Sequence, residues 1–136
     1  MKKYFKIAYK EAIKAYKKGE IPVGAIIVKN DKIIAKSHNN RQKSYNVLGH
    51  AEINTIIKAE KRLKDWRLDG CTMYVTLEPC EMCQTIIKES RLDNVFFLLT
   101  KTKEKNNDLK ECYEITEKYG NLLQDFFKKL RNKIIK

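Results

Sequence analysis

Thr72-Met73-Tyr74-Val75-Thr76-Leu77-Glu78-Pro79-Cys80-Glu81-Met82-Cys83 is the stretch on which the fold turns. Thr72–Leu77 predicts a short strand, rich in β-branched and apolar residues. Pro79 follows where proline is favoured, in the first turn of a helix. A strand running straight into a helix is the unit of an α/β layered domain. Cys80 and Cys83 stand three apart, hence as neighbours on one side of that first turn. The turn presents free N–H groups and the positive end of the helix dipole. Both favour thiolate over thiol, and thiolate is the form that binds metal.

His50-Ala51-Glu52 lies thirty residues upstream, at the predicted start of another helix. One imidazole and two thiolates make three zinc ligands with a fourth position open, the pattern of a catalytic rather than a structural site. Glu52 is two residues from His50, and on an ideal helix such side chains point about 200° apart. Both reach one site only at a helix end. That geometry makes Glu52 a proton carrier for an activated water better than it makes a ligand. A structural zinc site would need a fourth donor, which Cys71, Cys112 or His38 could supply. Otherwise Cys71 and Cys112 read as small buried hydrophobes and His38 as a polar loop residue. A redox pair is the remaining reading of Cys-x-x-Cys, and the matched His-x-Glu speaks against it.

Outward from these motifs, the chain reads as one domain over residues 1–136. A first helix is predicted over Lys3–Lys18, with Phe5, Ala8, Tyr9, Ala12, Ala15 and Tyr16 on one face and Gly19 ending it. Val23–Lys29 and Lys32–Lys36 form a hairpin, since Asn30 and Asp31 tolerate the positive φ of a tight turn. Ser37–Leu48 reads as a loop. The helix opened by Gly49-His50 carries Ile53, Ile56, Ile57 and Leu63 as its buried stripe. The helix after Pro79 runs to about Ser90. Val95–Leu99 is almost continuously apolar and reads as a strand buried on both faces. Thr100–Lys110 is a polar loop, Glu111–Thr116 a fifth strand, and Gly120–Ile135 a basic final helix with Leu123, Phe126, Phe127, Leu130 and Ile134 inward.

No apolar run approaches the roughly 18 residues of a membrane span, so no membrane partner is expected. Met1–Lys18 is not built like a secretory signal. A cytoplasmic location with reduced thiols follows as an expectation. The formal net charge of +12, mostly lysine, favours a polyanionic partner.

The chain resembles the bacterial tRNA-specific adenosine deaminases, within the cytidine-deaminase-like superfamily. The zinc motif, His-x-Glu followed by Pro-Cys-x-x-Cys, marks the superfamily. Pro22-Val23-Gly24-Ala25, Tyr74-Val75-Thr76-Leu77-Glu78-Pro79-Cys80 and Asp125-Phe126-Phe127 point to the tRNA branch. The resemblance implies a three-layer α/β/α sandwich with a central mixed five-stranded sheet, and a homodimer. It implies His50, Cys80 and Cys83 as ligands of one Zn2+ per subunit, and Glu52 as the proton shuttle. The implied reaction is conversion of adenosine to inosine at the wobble position of the anticodon stem-loop of a tRNA. Asn39 matches the family asparagine that hydrogen-bonds the flipped base, with Val23 and Ala51 as the pocket wall.

One departure stands out. After Val95–Phe97 the family carries a glycine-rich loop, whereas Leu98–Lys105 here has no glycine. Lys101, Lys103 and Lys105 are candidates for phosphate contact there, or a solvated basic loop. Lys128, Lys129, Arg131, Lys133 and Lys136 crowd the tail with no acid among them, which suits phosphate neutralisation. Two other readings compete. A deaminase of free guanine or cytosine compounds is opposed by the basic charge. A catalytically silent zinc RNA-binding module is opposed by Glu52.

Overall fold

The structure is a computed structural model and describes residues 1–135. In chain order the elements are α1 (Lys2–Lys17), β1 (Gly24–Lys29), β2 (Lys32–His38), α2 (Ala51–Leu63), β3 (Cys71–Leu77), α3 (Glu81–Glu89), β4 (Asn94–Leu99), a 3₁₀ turn (Asn107–Cys112) and α4 (Tyr113–Ile135). The strands form one sheet in the order β2-β1-β3-β4. β1 is antiparallel to both neighbours, while β3 and β4 are parallel. The sheet is therefore mixed, with helices on both faces.

β1 is free of polar side chains from Gly24 to Val28, because both of its faces are covered there. Ile26 and Val28 point into a core with Phe5, Ala8 and Ala12 of α1 and Tyr119 and Leu123 of α4. Ala25 and Ile27 point the other way, to Ile56 and Ala59 of α2 and Ile87 of α3. Gly24 lets α1 rest directly on the strand: a Cβ there would fall 2.0 Å from the Ala8 carbonyl oxygen. Asn30 and Asp31 take φ of 49° and 61°, the left-handed pair that a two-residue hairpin requires.

The expected fifth strand is absent among the described residues, and the sheet has four strands. Glu111–Thr116 is instead the end of the 3₁₀ turn and the beginning of α4. Leu109, Cys112, Ile115, Tyr119 and Leu123 are buried at helical intervals, so a period of three to four governs the segment. α4 accordingly starts at Tyr113 rather than Gly120. Without a fifth strand β4 is an edge, so only Leu98 and Leu99 are buried and Val95–Phe97 are half-buried. Pro79 precedes α3 rather than standing in its first turn, because Cys80 is the N-cap. Ile57 is 44% exposed, and Ala51, Thr55 and Ala59 complete the inner stripe of α2 instead. Lys136 lies outside the described residues, as does the Ile134 side chain.

Candidate active site

Two helix beginnings meet at one end of the sheet. His50 is the N-cap of α2 and Cys80 the N-cap of α3, both with extended backbones (ψ of 146° and 170°). Neither uses its side chain to cap its helix, so imidazole and thiol are free to face each other. Because His50 is extended and Glu52 helical, the 200° separation of an ideal helix does not apply to the pair. Cys83, one turn into α3, completes the group.

His50 Nδ1 lies 3.5 Å from Cys83 Sγ and 3.9 Å from Cys80 Sγ. All three donor atoms fall within 4.8 Å of one another. Zinc bonds of about 2.3 Å to sulfur and about 2.0–2.1 Å to nitrogen, at tetrahedral angles, put donor atoms roughly 3.5–3.8 Å apart. The donor set thus fits a zinc ion in size and in chemistry. Cys83 is buried, and burial, with the neighbouring Glu52 and Cys80, pushes its thiol well up. A cation at this point reverses that order by holding the sulfurs as thiolates. Burial, and next the charge of Arg41, lower the His50 pKa and keep the imidazole in its neutral, metal-binding form. Cys71, Cys112 and His38 do not join the group. Both thiols are packed in the cores. His38 Nδ1 donates to Glu11 Oε1 at 3.1 Å, which leaves Nε2 to accept from Lys18 Nζ at 3.2 Å.

Glu52 is 4% exposed. Burial raises its pKa to about 7, against the opposing hydrogen bonds of its own backbone and of Cys83. A carboxyl poised there gives up and takes back a proton with little cost in either direction. Asn39 adjoins the start of the same helix. Its Oδ1 accepts the Ala51 N–H at 2.7 Å, and its backbone N–H donates to the Val23 carbonyl at 3.2 Å. Val23, Asn39, Ala51 and Glu52 are therefore one connected wall, with Ala51 fully buried and Val23 nearly so.

Sequence reasoning missed the residues that hold this wall. The Tyr119 hydroxyl donates to the Pro22 carbonyl at 2.7 Å, and the Gly24 N–H donates to Thr76 Oγ1 at 3.2 Å. Asn54 Nδ2 donates to Asn40 Oδ1 and to the His38 carbonyl at 2.9 and 3.0 Å. Glu20, also buried, accepts the Gln42 and Lys43 N–H groups. Tyr119 becomes legible once Ile115, Tyr119 and Leu123 are seen to share a helical period.

The basic candidates divide. Lys103 Nζ sits 4.4 Å from the Phe127 ring centre, and with Lys128 and Arg131 it lines one shallow concavity. Lys129 is drawn away, donating to the Tyr16 hydroxyl at 2.6 Å and pairing with Asp125 at 3.3 Å. The Lys101 backbone N–H donates to Glu78 Oε1 at 2.8 Å.

A sheet flanked by helices, with His-x-Glu and Cys-x-x-Cys meeting at two helix starts, defines a zinc-binding deaminase. Residues 1–99 match the family model described as the cytidine and deoxycytidylate deaminase zinc-binding region. The chain is 42% identical to the tRNA-specific adenosine deaminase of Aquifex aeolicus, covering 98% of this chain and 99% of that protein. It belongs to the tRNA-specific adenosine deaminase family. Among solved structures, one from work on A-to-I editing by tRNA:A34 deaminases at the wobble position superposes with a TM-score of 0.72 at 35% identity, over 76% of this chain and 79% of the other. A guanine deaminase from Bacillus subtilis follows with a TM-score of 0.70 at 38% identity, over 74% and 64%.

Proposed function

We propose that this chain hydrolyses adenosine to inosine at the wobble position of a tRNA anticodon, releasing ammonia. The observation that carries the reading is the three-donor group of His50, Cys80 and Cys83 with the buried carboxyl of Glu52 in the first turn of the helix that His50 begins. A zinc ion held by His50, Cys80 and Cys83 supplies Lewis acidity that makes water a nucleophile at neutral pH. Glu52 takes one proton from the attacking water and delivers it to the ring nitrogen N1, then carries the second, from the hydroxyl newly formed at C6, to the exocyclic amine, which leaves as ammonia. Asn39, its oxygen engaged by Ala51, keeps the Nδ2 donor for the base. Val23 and Ala51 form the apolar wall beside it.

The charge of +12 and the concavity of Lys103, Lys128 and Arg131 support an RNA substrate over a free base. The anticodon loop is the natural target, because its unstacked bases can be splayed into a pocket. We assign those three residues to backbone phosphates; Lys129 and Lys101 support the loop and helix that carry them. Val47, Leu48, Ile57 and Trp66 are exposed, and Ile53, Ile57, Trp66 and Ile86 line a groove between α2 and α3. This apolar face supports a homodimer. No described helix is long and apolar enough to cross a membrane, and a cytoplasmic location fits a tRNA substrate.

The test is to incubate the zinc-loaded protein with an anticodon stem-loop bearing adenosine at the wobble position, and separately with guanine and cytosine compounds. Inosine in the RNA is the expected product. Ammonia from the small molecules alone would overturn the proposal. Light scattering reads the dimer.

A further inference from the structure

A cleft of about 600 Å³ opens beside the site, between the end of β2, the loop after Asn39 and the outer face of α2. Lys18, Lys43, Lys58 and Lys61 line it, with Asn40 and Asn54 between them. All four ammonium groups lie without a carboxylate partner among the described residues, whereas Lys14, Lys105 and Lys129 are each paired with one. Lys18 and Lys58 are held instead by neutral acceptors, the His38 ring at 3.2 Å and the Lys36 carbonyl at 3.2 Å. Glu20, the one acid in the lining, is 2% exposed and spends both oxygens on the Gln42 and Lys43 N–H groups. Four ammonium groups against one carboxylate leave the cleft with a net positive charge.

Its wall is continuous with the zinc site. His50, Asn54, Lys58 and Lys61 recur turn by turn from the start of α2. The Asn54 N–H donates to the His50 carbonyl at 3.0 Å, and its side chain donates to Asn40, the neighbour of Asn39. A nucleotide extruded into the Asn39 pocket leaves its flanking phosphates at the rim, and a basic groove that tracks the backbone receives such a strand. We infer that this lysine cleft is a phosphate subsite for the RNA strand flanking the target adenosine, an inference that rests on the tRNA reading above.

The test compares the salt dependence of anticodon stem-loop binding by the zinc-loaded wild type with that of two double variants. Lys43→Ala/Lys61→Ala empties the cleft of two charges. Lys29→Ala/Lys32→Ala removes the same charge at the hairpin, where these residues pair at the end opposite Gly24 and His38. Each lysine on a single-strand phosphate contributes about 0.7 to the slope of log affinity against log salt, so the cleft variant should lose roughly 1.4. The hairpin variant should lose much less. Equal losses in both, or none in the cleft variant, would overturn the subsite. So would inorganic phosphate binding that the cleft variant loses while its RNA slope is unchanged, since that outcome assigns the cleft to a small anion. A wild type that neither binds nor deaminates the stem-loop would instead overturn the tRNA reading itself.

Discussion

The Oδ1 of Asn39 accepts the Ala51 backbone N–H at 2.7 Å, so a loop residue caps the helix whose own N-cap, His50, leaves it uncapped. The cap ties Asn39, proposed above to hold the base, to the placement of His50 and Glu52. Asn39→Ala should cost about 1 kcal/mol of stability, the usual worth of a lost cap, and should also lower kcat/KM. Asn39→Asp keeps the acceptor and removes the amide donor. Its melting temperature should stay near wild type while kcat/KM still falls, and a variant that retained full activity would remove Asn39 from base recognition.

Glu52→Gln preserves shape and removes the carboxyl proposed to carry the proton. Single-turnover inosine formation should drop by ~10²–10⁴, while metal analysis finds zinc retained. Its melting temperature should not fall below wild type, because a carboxyl 4% exposed is costly to bury and an amide less so. Wild-type turnover in Glu52→Gln would sink the assigned role.

Cys83→Ser should lose both bound zinc and activity. Cys71→Ser, in the α2/α3 core and away from the donor group, should keep its zinc while losing about 1–3 kcal/mol to a buried hydroxyl. Measuring zinc and melting temperature side by side separates metal loss from simple destabilisation. Chelation of the wild type should reproduce the Cys83→Ser activity.

Glu11 is 3% exposed, and its pKa is lowered in the fold. Burial alone would raise it, but the hydrogen bonds from Lys14 at 2.6 Å and from His38 at 3.1 Å outweigh that. A depressed carboxyl contributes stability above its unfolded value of 4.5 and loses it as the pH falls through the lower folded value. Glu11→Gln should therefore melt below wild type at pH 7. The gap should close as the pH drops below 4.5, as read by thermal melts across that range.

The donor set was legible from residue types and short spacings alone. His50 with Glu52, and Cys80 with Cys83, are pairs whose chemistry depends on a helix start, and helix starts are written locally by caps and dipoles. The hairpin was equally local, resting on Asn30 and Asp31. The segment Glu111–Thr116 misled because a half-turn of apolar residues reads alike as strand or helix; Tyr119 and Leu123 settle it only when both meet the sheet. The edge position of β4 followed from the missing fifth partner and from nothing within Val95–Leu99.

By itself, then, the sequence determined which atoms can hold a zinc ion and which carboxyl stands beside them, because ligand chemistry is a property of side chains a few residues apart. Tertiary structure alone decided what surrounds them. Asn39 meets Ala51, Tyr119 meets Pro22, and four lysines, one just after α1, one in a loop and two on α2, share one cleft. Those contacts join segments that no periodicity connects. They exist because both faces of one sheet must be covered, and covering them brings distant parts of the chain together at its end.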